Sequence, residues 1–127
     1  MGYRVAAMLR ITQATSPAPG AVNEDYVLSG PGWVAVLDGA TAPRGVESGC
    51  VHGVPWLVRR LSWAIGARIG EALPLREVLA AAISDTRAAH GGLCDLGNPN
   101  SPSSTVALLR ERGELLDYLV LCDSPVL

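Results

Sequence analysis

Three acidic positions carry the chemistry this chain could do. Asn23-Glu24-Asp25 opens the apolar run Tyr26-Val27-Leu28. Asp38-Gly39 closes the run Trp33-Val34-Ala35-Val36-Leu37, and Asp123-Ser124 ends the run Leu119-Val120-Leu121-Cys122. Carboxylates at the mouths of neighbouring strands can converge on one point, where a cation or shared protons relieve their repulsion. Hard divalent cations accept carboxylate and backbone carbonyl oxygens alike, and the glycine after Asp38 leaves its carbonyl free to turn toward such an ion. Glu24 and Asp25 would point to opposite faces of a regular strand. At a strand start the backbone is freer, and both can approach one metal, directly or through water. Each position alone also reads as a solvated strand end or an Asp-Gly turn; the three together are more informative than any one.

Other constellations are weaker. Cys50-Val51-His52 with His90 and Cys94 offers soft ligands, but the spacings are not those of zinc motifs. His52 is expected near the start of a first helix. His90 is expected near the C-terminus of a second, where the helix dipole favours a cation. Ser103-Ser104-Thr105 lacks the Gly-x-Ser-x-Gly surroundings of a nucleophile and reads as a strand opening. Cys122, inside a strand beside Asp123, reads as an inert buried thiol. Trp33, Trp56 and Trp63 read as packing residues. No phosphate-cradling or dinucleotide fingerprint is present, and no basic patch points to nucleic acid.

Elements of the following kind must position the acids. Weak alternation predicts a strand over 3–14, and Ser16-Pro17-Ala18-Pro19-Gly20 is a loop. Strands are expected at 25–29 and 33–38 around the turn Ser29-Gly30-Pro31-Gly32. A helix begins at about Val54, with Pro55 in its first turn and Val54, Leu57, Val58, Leu61 and Ile65 on one face. A second begins at Leu73-Pro74, buries Leu75, Val78, Leu79, Ala82, Ile83 and Thr86, and ends at Gly91. Strands at 104–110 and at 115–122 with continuation through Val126 follow, with Arg112-Gly113-Glu114 between them as a tight turn. Within the last, 118–122 is apolar throughout, which predicts a place inside a layered sheet. The order of strands, two helices and strands is that of an α+β domain.

Composition sets the bounds. The 127 residues suffice for one domain, and 49% hydrophobic residues argue against disorder. The net charge of −2 suggests no polyanion partner. All ten basic residues are arginine, a bias expected of a GC-rich genome. Three irregularly spaced cysteines imply no disulfide framework. No uncharged apolar run approaches the roughly 20 residues of a membrane helix, and Arg10 interrupts the first apolar stretch with no cleavage site behind it, so a cytoplasmic protein without membrane partners is expected.

Three blocks together resemble the metal-dependent serine/threonine protein phosphatases of type 2C. They are Asn23-Glu24-Asp25, then Trp33-Val34-Ala35-Val36-Leu37-Asp38-Gly39, then Ser103-Ser104-Thr105-Val106-Ala107-Leu108-Leu109 with Leu119-Val120-Leu121-Cys122-Asp123-Ser124. The resemblance runs from about residue 4 to 127 and matches the amino-terminal part of a bacterial domain of this family. It implies a layered α-β-β-α sandwich and a centre of two Mg²⁺ or Mn²⁺ ions. A water activated there attacks the phosphorus of a phosphoserine or phosphothreonine protein. Asp38 would bridge the ions, Gly39 would offer its carbonyl, Glu24 and Asp25 would bind directly or through water, and Asp123 matches an additional metal site. Departures are equally specific. Gly20 stands about where many members carry a phosphate-binding Arg, Ala40 where eukaryotic members often carry a His, and Cys122 where the family has Gly. The family's later metal-binding acids have no counterpart here, which suggests a domain truncated at its C-terminus. A phosphatase-like binding module without turnover is therefore the alternative expectation.

Overall fold

The computed structural model describes residues 9–122, and the fold is a small α+β domain. Strands β1 (Asp25–Gly30), β2 (Trp33–Ala40), β3 (Ser103–Arg112) and β4 (Leu115–Leu121) form one antiparallel sheet in the order β1-β2-β3-β4. Helices α1 (Val54–Gly66) and α2 (Leu75–Ala89) lie between β2 and β3 in the chain. Both hairpins turn on two residues. Pro31-Gly32 joins Gly30 to its partner Trp33, and Gly113-Glu114 joins Arg112 to Leu115.

One face of the sheet is buried. Ala35 and Leu37 on β2 and Val106 and Leu108 on β3 pack with Val54, Val58, Leu61 and Ile65 of α1 and Leu75, Val78, Leu79 and Ala82 of α2. The α1 stripe has the spacing of one helical face, and Pro55 occupies its first turn, where the missing N–H costs nothing. Helix α2 follows Pro74 and ends at His90, with Gly91 beyond it at φ +69°, the left-handed position glycine takes at low cost after a helix. Ion pairing of Arg68 with Asp85 ties the chain after α1 to α2.

Several expectations change. Residues 9–14 of the first expected strand form no strand, and 1–8, like the expected continuation of the last strand over 123–126, lie outside the described residues. Ile83 is exposed, so the buried face of α2 is narrower than its apolar pattern. The largest revision concerns β4. Among the described residues it is an edge strand, with Leu115, Leu116, Tyr118, Val120 and Leu121 all exposed. A run of apolar residues cannot distinguish a strand buried on both faces from one at a sheet edge whose outer face is uncovered. Cys122 is likewise exposed, with φ +67°, and not buried in a strand. No helix among the described residues is long and apolar enough to cross a membrane.

Arg110 locks the helical layer to the far end of the sheet. Its guanidinium is buried and donates to the carbonyls of Ile69 at 3.0 Å, Glu71 at 3.2 Å and Leu73 at 2.7 Å, in the turn after α1, and to Asp117 on β4 at 3.3 Å. Arg112 Nε donates to both oxygens of Asp117, at 3.0 and 2.9 Å. A planar fork of donors reaches several acceptors that a single ammonium cannot. We expect Arg110→Ala to cost about 3 kcal/mol by chemical denaturation, because three carbonyls lose this donor and Asp117 keeps only Arg112, and Arg110→Lys to recover less than half of that. The hydrogen bond from Arg112 holds the Asp117 carboxyl below its ordinary value of 3.8; partial burial opposes this and Arg110 adds to it. A depressed folded pKa contributes stability above the unfolded value, and that contribution is lost as pH falls through the folded one. Asp117→Asn should therefore flatten the fall in stability below about pH 4, measured as Tm against pH.

Candidate functional site: two groups of metal-type ligands

The first group is the acidic one. Asp25 opens β1 and stands opposite Asp38 in the β1–β2 register. Directly opposed residues in an antiparallel pair project to the same face, here the one turned away from the helices. Both are exposed. Asn23 shapes the approach to β1. Its Oδ1 accepts the Asp25 N–H at 3.0 Å, and its Nδ2 donates to Thr15 Oγ1 at 3.0 Å. Glu24 is half-buried and its carboxylate accepts the Thr41 hydroxyl at 2.5 Å. Asp123 lies outside the described residues.

Gly39 also has a steric role. Its N–H donates to the Glu24 carbonyl at 3.1 Å, continuing the ladder past Asp25. A Cβ there would stand 2.2 Å from Val54 Cγ1 and 2.4 Å from the Glu24 carbonyl oxygen. The acidic end of the sheet and the start of α1 thus meet at a point with no room for a side chain.

The second group is one the sequence pattern had argued against. Cys50, His52, His90 and Cys94 come together, with one ligand atom from each, all within 4.8 Å of one another. It is the one such group of three or more His, Cys, Asp or Glu side chains among the described residues; Glu24, Asp25 and Asp38 do not make one. Cys50 Sγ lies 2.8 Å from Cys94 Sγ, 3.8 Å from His52 Nδ1 and 3.5 Å from His90 Nδ1, and Cys94 Sγ lies 3.4 Å from His52 Nδ1.

Local structure explains the convergence. Helices α1 and α2 pack against each other, so the start of the first lies beside the end of the second. His52 immediately precedes the N-cap Gly53, and His90 is the C-cap of α2. The Asp95 N–H donates to the Gly49 carbonyl at 2.7 Å and Asn98 Nδ2 to the Glu47 carbonyl at 3.2 Å, joining the two connecting segments. Trp56 stacks on His52 with ring centroids 3.9 Å apart and meets His90 edge-on at 4.8 Å. Burial, followed by the proximity of His52, pushes the His90 pKa down, so the neutral ring is favoured where the helix dipole alone would favour the cation. Burial also pushes the Cys50 thiol up, aided by its hydrogen bond to Cys94. At Cys94 burial opposes ionisation, but hydrogen bonds from Cys50 and from the Val51 and His52 backbone outweigh it and hold the thiol below its usual value.

A weak signal for this cluster exists in the sequence. Cys-x-His before one helix and His-x₃-Cys after the next are two short ligand pairs, and pairing of the helix ends is what joins them. No protein-family model matches the chain, and no curated protein or solved structure shows significant similarity to it.

Gly39→Ala should destabilise the fold by about 3 kcal/mol by denaturant titration, since overpacking forces β1, β2 and α1 apart. Combined with Val54→Ala the cost should fall but not vanish, because the clash with the Glu24 carbonyl persists.

Proposed function

We propose that this chain is a metal-dependent phosphomonoester hydrolase of the type 2C kind, acting on phosphoserine or phosphothreonine in proteins. The observation that carries the reading is the register pairing of Asp25 with Asp38, with Glu24 and Gly39 in backbone contact beside them. The first two sequence blocks that resemble the family, and the Ser103-Ser104-Thr105 opening of the third, thereby meet at one end of the sheet. The donors are hard oxygens, suited to Mg²⁺ or Mn²⁺ and not to a soft metal. Asp25 and Asp38 would hold such ions, with Glu24 and the Gly39 carbonyl beside them. When bound, the ions would supply an acidified water for in-line attack on phosphorus. Thr41 holds the Glu24 carboxylate in place.

The sheet also has the asymmetry that a sandwich needs. Helices cover one face, while Val27, Val34, Val36, Ala107, Leu109, Tyr118 and Val120 alternate onto the other. Packing of that face against a second sheet is part of the proposal, as is a cytoplasmic setting. A second reading, a phosphatase-like binding module without turnover, is favoured by the fact that the three acids do not form a compact ligand group.

Calorimetric titration with Mn²⁺, run beside hydrolysis of p-nitrophenyl phosphate, separates the readings. The hydrolase reading expects saturable Mn²⁺ binding and Mn²⁺-dependent turnover that falls on the order of 100-fold or more in Asp38→Asn. Binding without turnover selects the binding module. No saturable binding at millimolar Mn²⁺ removes the carboxylate metal site altogether.

A further inference from the structure

We propose that Cys50, His52, His90 and Cys94 form a structural zinc site that fastens the 41–53 connection to the end of α2. The inference is independent of the hydrolase reading, since it uses different ligands and a different metal.

Ligand geometry is the first support. With Zn–S of about 2.3 Å and Zn–N of about 2.0–2.1 Å, the edges of a ligand tetrahedron are about 3.6 Å between sulfur and nitrogen and about 3.8 Å between sulfurs. Three of the four sulfur–nitrogen separations, 3.8, 3.5 and 3.4 Å, bracket the expected edge, and the fourth, from Cys94 to His90, lies within 4.8 Å. The sulfur–sulfur edge of 2.8 Å is too short by about 1 Å, so an ion entering would part the two thiols. Both sit on half-buried connecting segments outside the helices, where a χ1 adjustment achieves this.

Chemistry is the second support. Two thiolates and two neutral imidazoles around a divalent ion make a charge-neutral unit, which a partly buried position tolerates. Soft sulfur with imidazole in a four-ligand set selects Zn²⁺ over Mg²⁺ or Mn²⁺, and four protein ligands leave no open position, as in structural and not catalytic sites. The surroundings fit as well. The Val51 N–H donates to Cys94 Sγ and the His52 N–H to Cys50 Sγ, each at 3.4 Å, the kind of outer contact that stabilises a thiolate ligand. Trp56 fixes the planes of both imidazoles.

The competing chemistry is a Cys50–Cys94 disulfide. Both are free thiols here, and their separation exceeds the roughly 2.05 Å of an S–S bond. A disulfide would also make no use of two imidazole nitrogens aimed at the same pair of sulfurs. Four convergent ligands are what a metal requires and a disulfide does not.

The test uses the full chain purified under reducing conditions, with bound metal measured by mass spectrometry and the metal-free chain titrated with Co²⁺. The expected result is one zinc per chain and, with Co²⁺, the intense visible bands of a tetrahedral centre together with a thiolate-to-cobalt charge-transfer band. Cys50→Ser, Cys94→Ser, His52→Ala and His90→Ala should each lose or alter that spectrum, while Cys122→Ser keeps it. In the zinc-loaded wild type a thiol reagent should react rapidly with Cys122 alone, and a chelator should release the other two, a readout that needs no folded variant. Absence of zinc with no charge-transfer band, recovery of Cys50 joined to Cys94, or equal reactivity of all three thiols in the presence of zinc would overturn the proposal.

Discussion

A slip of β2 by one residue against its neighbours would expose Leu37 and carry Asp38 beneath the helices. The fold is organised around preventing that slip. Ala35, Leu37, Val106 and Leu108 fill one face under α1 and α2, and every alternate residue is thereby assigned to the other. The two short turns hold the same register from the ends of the hairpins. Opposition of Asp25 and Asp38 is a by-product of this packing. The core decides that the two carboxylates share a face. Gly39 then brings the acidic end of the sheet against α1 more closely than any side chain would allow.

Much of this was legible in the residues, for identifiable reasons. Pro31-Gly32 and Gly113-Glu114 carry the chemistry of tight turns, and the stripe from Val54 to Ile65 has the period of a helix, so the elements and their kinds follow from local pattern. The role of β4 does not. Its apolar run is equally compatible with an interior strand, and only strand order shows that it lies at the edge. Gly39 was legible as a special position, but its steric role was not, because close approach of Val54 and the Glu24 carbonyl is a tertiary fact. The Cys/His group was hidden for the same reason. Its two halves are separated in the chain by both helices, and the pairing of helix ends that unites them depends on the core.

The two ligand groups divide by donor hardness. Asp25 and Asp38 share the face of β1 and β2 turned away from the helices, and thiols and imidazoles gather where the helix ends meet. Each donor set discriminates against the metal that suits the other, so proposed sites for a hard and a borderline-soft cation can coexist in one small chain without exchanging ions.

The 41–53 connection lies between them, and its anchorage links the two proposals mechanically. It leaves β2 beside Thr41, whose hydroxyl holds the Glu24 carboxylate, and reaches α1 through Cys50 and His52. A segment of this length without regular structure would ordinarily be among the most mobile parts of a domain. Here Gly49 and Glu47 accept hydrogen bonds from the Asp95 N–H and the Asn98 side-chain amide, which already tie its second half to the segment after α2. Those contacts are few and exposed to competition from water, whereas a four-ligand metal site holds its ligands to fixed distances. The ordering would then extend along the chain toward Thr41 and Glu24. A carboxylate that must stand ready for a hard cation benefits from a neighbour that cannot wander, since positional freedom in a ligand shell is lost on binding and weakens it. The proposed zinc site would thus support the acidic end through stiffness alone, with no contact between the two metals.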